Sequence, residues 1–195
     1  MCMLYSTAFT QAKSGVESYN FLSHGKDYVW MPILHYQTKN GFYTELRYNY
    51  EDVRTLSLFG GKTISGGKSL QYSITPLVGF SAGNFTGVSL AANAEIDWMS
   101  FYISSQTQYS IATKQNIADF LFSWSELGYN ISSKFFGGLA IQYTRQVGIN
   151  NVEPGFVAGI NLKKISIPCY VFNPSNPDRY FVVGLNFEFD YKNGK

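Results

Sequence analysis

Along most of this chain, apolar and polar side chains alternate with a period of two, and the polar partners are mostly uncharged. From Gly41 to Glu51, Phe42, Leu46, Tyr48 and Tyr50 alternate with Tyr43, Glu45, Arg47, Asn49 and Glu51; Thr44 is the polar exception on the first face. From Thr86 to Ile96, Val88, Leu90, Ala92, Ala94 and Ile96 oppose Ser89, Asn93 and Glu95. The same rhythm runs through Leu70 to Phe80, Met99 to Gln108, Leu139 to Gln146 and Phe181 to Tyr191. Period two puts successive side chains on opposite faces of an extended strand. No segment carries a 3.6-residue helical pattern, and no apolar run reaches the 18 or more residues of a spanning helix.

Turn chemistry punctuates these runs. Breaks fall at Lys39-Asn40-Gly41, Glu51-Asp52, Ser65 to Lys68, Gly83-Asn84, near Asp97, Lys114 to Asn116, Ser132-Ser133, Asn150-Asn151, Lys163-Lys164 and Asn173 to Asp178. Eleven strands lie between Tyr28 and Tyr191 on this reading. The stretch from Phe120 to Ile131 alternates poorly, which predicts a bulge that switches faces. If the last strand runs downward, counting back turn by turn makes the segment Tyr28 to Thr38 run downward as well. An upward strand must then precede it, and Gly15 to Leu22 is the candidate. That makes twelve strands, or ten if one strand has been split in two.

The outward face of a soluble sandwich carries Lys and Glu. Here charged residues are 14% of the chain, against about 25% for an ordinary soluble domain. Most cations sit in turns or at strand ends, among them Lys39, Lys62, Lys68, Lys114, Lys134, Lys163, Lys164 and Arg179. One face of nearly every strand is apolar and rich in aromatics, the other rich in Ser, Thr, Asn, Gln and Tyr. Lipid outside and a polar lumen inside would produce this pattern, so the expected fold is all-β: a closed antiparallel up-and-down transmembrane barrel. Tyr28, Trp30, Tyr48, Tyr50, Trp98, Tyr109, Tyr180 and Tyr191 fall near strand ends, where interfacial girdles would lie.

The stretches Arg47 to Asp52 (RYNYED), Phe122 to Tyr129 (FSWSELGY) and Leu139 to Thr144 (LAIQYT) resemble an uncharacterised family of small outer-membrane barrels of Gram-negative bacteria. The likeness runs from about Tyr28 onward. It implies the barrel fold and an outer-membrane location, and it brings no activity with it. Residues 11–195 read as one domain. Residues 1–10 (MCMLYSTAFT) read as the remnant of a signal peptide, with Ala8 and Thr10 before Gln11 as a small-x-small cleavage site; an N-terminal strand is the alternative.

The ionisable and amide groups expected to face the lumen are Tyr43, Glu45, Arg47, Asn49, Glu95, Gln106, Glu126, Gln142 and Glu188. Glu45 and Arg47 are two apart on one strand, hence on one face about 7 Å apart. Such groups can plug the barrel as a salt-bridge network. They can also line a constriction whose acid excess favours cations. Small solutes or ions and outer-membrane lipid are the expected partners, with oligomeric state left open. No cationic stripe exceeds Lys163-Lys164, which argues against nucleic acid.

Neither a cofactor nor a metal is expected. Cys169 has no CxxC or histidine-ligand spacing and reads as a small packing residue. The segment Gly60 to Ser69 (GGKTISGGKS) fails the phosphate-loop spacing and reads as a glycine-rich hairpin turn. An enzyme is not expected: His24 and His35 are the histidines, and no serine sits in a GxSxG motif, which leaves an outer-membrane lipid hydrolase the weakest alternative. The stronger alternative is a soluble calycin-like barrel or sandwich binding an apolar ligand. It requires Val88, Leu90 and Ile96 to point inward.

Overall fold

The structure is a computed structural model that describes residues 12–25 and 27–191. The signal-peptide reading of residues 1–10 lies outside the described residues. In chain order the strands are β1 (Ala12–Ser23), β2 (Val29–Gln37), β3 (Phe42–Tyr48), β4 (Thr55–Lys62), β5 (Ile64–Gly67), β6 (Leu70–Gly83) and β7 (Gly87–Trp98). They continue with β8 (Phe101–Ala112), β9 (Phe120–Asn130), β10 (Phe135–Gln146), β11 (Ile149–Leu162), β12 (Ile165–Phe172) and β13 (Tyr180–Tyr191). Consecutive strands pair antiparallel except β4 and β5, which both pair with β6, and β1 pairs with β13. The sheet therefore closes on itself.

β4 and β5 are two halves of one stave, so the barrel has twelve. Their register against β6 does not change: Gly61 faces Leu77 and Ile64 faces Ile74. The break between them falls opposite Pro76, which has no N–H to give to the ladder. On the other side the Thr63 amide continues the β3 register, donating to the Gly41 carbonyl at 2.8 Å, and its hydroxyl meets that of Thr75 at 2.9 Å. The segment Gly60 to Ser69 is thus mostly strand, with the turn itself confined to Lys68 and Ser69. The turn expected at Asn150-Asn151 lies earlier, at Val147 and Gly148, where Gly148 takes a positive φ of 76°. Asn150 and Asn151 pair with Arg145 and Thr144 inside the ladder.

The outer surface is apolar. Leu34, Leu58, Val78, Phe80, Leu90, Leu139 and Phe156 are all exposed, and Ile96 joins them at the edge of the same belt. Leu90 is 60% exposed, the opposite of what a soluble barrel with an apolar interior requires. Cys169 is also exposed, flanked along its strand by the buried Pro168 and Tyr170, so it is a surface residue rather than packing. Several polar side chains that face out find partners. Ser105 meets Ser125 at 2.8 Å, Thr107 meets Ser123 at 2.9 Å, and Trp30 Nε1 donates to Ser18 Oγ at 2.9 Å. In hydrocarbon no water would satisfy them, so such pairing is what makes hydroxyls tolerable there.

β9 holds an unbroken register against both neighbours, so the expected bulge is absent. Its alternation looked poor because large rings face inward, with Trp124 buried, while small Ser123 and Ser125 face outward. Tyr50 and Tyr180 likewise leave the expected girdle. Their hydroxyls reach Gln106 at 3.2 Å and Gln142 at 3.1 Å inside the barrel.

A single-cysteine Leu90→Cys variant, with Cys2 and Cys169 replaced by Ser, tests the orientation of the wall. In lipid vesicles it should resist a water-soluble maleimide and react once the protein is unfolded. Rapid labelling of the folded barrel in vesicles would show that this face meets water.

Candidate functional site

The inner wall is built by a repeated device. Phe59 faces Gly79, Tyr102 faces Gly128, Phe136 faces Gly159, Phe172 faces Gly155 and His35 faces Gly15 across adjacent strands. In each pair a side chain on the glycine would collide with the ring opposite. The absent Cβ lets the ring lie back against the wall, so these positions hold an aromatic without obstructing the lumen.

Arg47, on β3, is 1% exposed and organises the middle of the lumen. Its Nε donates to Glu45, and its Nη1 donates to Gln108 Oε1 at 2.7 Å. The guanidinium lies 4.3 Å from the ring centre of Tyr50 and 4.2 Å from that of Phe59, a cation–π arrangement on both rings. Glu45 also accepts the Tyr43 hydroxyl at 2.6 Å. Gln108 Nε2 donates to Glu51 at 3.1 Å and to Ser110 at 2.8 Å, and Glu51 also accepts from Ser57. Since β4, β6 and β7 separate β3 from β8 around the ring, this network reaches across the interior.

A second set crosses the other way. Trp124 on β9 lies 5.5 Å from Tyr19 of β1, 5.0 Å from Tyr170 and 5.6 Å from Phe172. β10 to β13 separate β9 from β1, so the Trp124–Tyr19 contact spans the lumen. Tyr19 donates to Glu17 at 2.8 Å, Tyr170 donates to Glu126 at 2.8 Å, and His35 Nδ1 lies 3.4 Å from Glu17. Between these sets is a cavity of about 30 Å³ bordered by Tyr19, Tyr50, Glu95, Gln106, Trp124 and Glu126. That is room for about one water. A wider cavity of about 350 Å³ opens at the loop end, the end opposite Ala12 and Tyr191.

The structure brings Tyr43, Glu45 and Arg47 into one cluster, and Glu95, Gln106 and Glu126 around the narrow gap. Gln142 borders the loop-end cavity. Asn49 lies beyond the end of β3 at a positive φ of 59°, its amide donating to Trp30 O at 2.8 Å and accepting from the Arg54 amide at 2.7 Å. It shapes the mouth rather than the wall. Glu188 sits near the terminal end of β13, where its amide donates to Lys164 O at 3.0 Å, apart from the Arg47 cluster. Sequence reasoning missed Glu17, Tyr19, Gln108, Trp124 and Tyr170. For Glu17 and Tyr19 a signal existed, in the alternation Gly15, Glu17, Tyr19 against Val16 and Ser18. For the cross-lumen partners there was none.

Among solved structures, the KdgM porin, also determined in complex with disordered oligogalacturonate, superposes with a TM-score of 0.66 at 12% identity. The match covers 90% of this chain and 99% of that one. The NanC porin gives 0.61 at 12% identity, over 88% of this chain and 98% of that one. The fold is that of the porins. No family model and no curated protein matches the chain.

Replacing Glu45 by Gln would leave the Arg47 guanidinium buried without its counter-charge. Loss of one partner of a buried pair costs about 3–5 kcal/mol, so the urea midpoint of the folded barrel in vesicles should fall clearly. The double variant Glu45→Gln/Arg47→Met should recover much of the loss. Equal stability of wild type and Glu45→Gln would show that the pair is not buried as described.

Proposed function

We propose that this chain is an integral outer-membrane barrel that passes small solutes through a narrow lumen and favours cations. The observation that carries the reading is the acid-rich constriction. Glu95 and Glu126 border a water-sized gap, and Glu17, Glu45 and Glu51 lie in the networks around it, with Arg47 bonded to Glu45 and His35 Nδ1 3.4 Å from Glu17 as the basic groups among them. Glutamate carboxylates lining a gap this narrow favour cations by charge. Twelve staves lie between the small barrels that side chains fill and the large ones that hold open water channels.

The porin fold supports the outer-membrane location. The turns at Lys68-Ser69, Met99-Ser100 and Lys163-Lys164 are short, while the opposite end carries the longer loops 49–54, 113–119 and 173–179. Short turns are periplasmic in such barrels, which puts the loop end outside. The oligogalacturonate bound by the KdgM porin is an acidic chain. A lumen dominated by glutamates would repel such a polyanion, so the solutes assigned here are cationic or neutral.

The bridging of the lumen by Trp124 and Tyr19 favours a second reading, a structural barrel stapled by its interior. Planar-bilayer recording of wild type and Trp124→Ala separates the two. The pore reading expects small unitary currents that rise severalfold when the indole is removed. Silence from both proteins, each confirmed as folded by its heat-dependent gel migration, leaves the structural barrel.

A further inference from the structure

The loop-end cavity is built differently from the constriction beneath it. Its volume of about 350 Å³ lies within the range of about 300–1,000 Å³ typical of small-molecule sites. Aromatic rings form much of its lining, and they are fixed by one another. Phe21 stacks on Tyr180 at 6.3 Å, Tyr50 meets Phe122 edge-on at 5.7 Å, and Trp124 meets Phe21 at 6.4 Å. Asp27 and Glu153 supply two carboxylates, and among the described residues that line the cavity there is no Lys, Arg or His.

Glu153 is held by neutral donors. Tyr180 donates to its Oε2 at 3.2 Å and Asn173 to its Oε1 at 3.3 Å, so its charge is solvated but not cancelled. Gln142 is 5% exposed and its Oε1 shares the single Tyr180 hydroxyl hydrogen with Glu153, while its Nε2 has no hydrogen-bond partner. Trp124, 7% exposed, also has an indole N–H without one. Buried donors are normally satisfied, so two unsatisfied ones in the lining of one cavity point to an acceptor that completes them.

Resting on the pore reading above, we propose that this cavity is a recognition site for a small organic ammonium ion that also carries an oxygen acceptor. The ring faces carry negative electrostatic potential, and cation–π attraction strengthens as the cation loses water. Asp27 and Glu153 add negative charge in the same space. An alkylated ammonium offers the apolar surface that the rings need and the charge that the carboxylates need. Its hydroxyl or carbonyl oxygen would accept from Gln142 Nε2 or Trp124 Nε1. A neutral sugar would use the ring faces but gain little from the net negative charge, and an anion would be repelled.

Isothermal calorimetry on the folded full-length barrel in detergent tests this with choline as the probe. Tetramethylammonium lacks the oxygen, glucose lacks the charge, and gluconate reverses it. The expected order is saturable choline binding, weaker tetramethylammonium binding, and no saturable heat from glucose or gluconate. Glu153→Gln should weaken choline at least tenfold, and Tyr180→Leu should do the same through loss of a ring face. The wild-type series decides the matter even where a variant fails to fold. No saturable choline binding, or glucose or gluconate binding as tightly as choline, overturns the proposal. Calorimetry needs no conduction. A bilayer-silent barrel that binds choline would remove the pore and keep this site, whereas a conducting barrel that ignores choline would do the reverse.

Discussion

Closure of the hydrogen-bonded ring is the constraint on which the rest of this molecule depends. In hydrocarbon an unpaired amide or carbonyl costs several kcal/mol, so a sheet can cross a bilayer only if it has no free edge. Here the ring closes through the pairing of β4 and β5 with β6 at one seam and of β1 with β13 at another. Even its defect obeys that demand. Opposite Pro76, which cannot donate, Thr63 keeps the ladder to β3 through Gly41, and the register against β6 resumes unchanged at Ile64. Closure also fixes which residues meet lipid, since one register assigns alternate positions of every stave to the outside.

Once circumference is fixed, side-chain choice alone decides how much of the lumen is free. The glycine opposite each of five inward rings, as at Phe59 and Gly79 or Tyr102 and Gly128, keeps bulk against the wall. Elsewhere bulk is sent across. Trp124 and Tyr19 meet in the centre, and Arg47 extends to Gln108 while held between Tyr50 and Phe59. The result is a water-sized gap bordered by the carboxylates of Glu95 and Glu126, beneath a wider aromatic mouth. On the reading proposed above, selectivity and recognition sit at two heights of one lumen.

Much of this was legible in the chain because strand alternation is a local signal. The outward rows and the adjacency of Glu45 and Arg47 two residues apart follow from spacing along one strand, and the count of twelve from the turn signals and the up-down order. Partners across the lumen are invisible to that reasoning. Gln108 is 61 positions from Arg47, and their meeting depends on how many staves close the ring. The apparent irregularity of β9 came from the assumption that large rings face lipid, whereas Phe122 and Trp124 face inward beside outward serines. Tyr50 and Tyr180 misled in the same way: position near a strand end does not say on which side of the wall a tyrosine lies.

Ion selectivity under a salt gradient bears most directly on the central claim, that an acid-rich gap in a lipid-bounded barrel controls passage. With unequal potassium chloride across a planar bilayer, the account predicts a reversal potential displaced toward the potassium equilibrium potential. That displacement should shrink when Glu126 is replaced by Gln. A reversal potential displaced toward that of chloride would contradict the account.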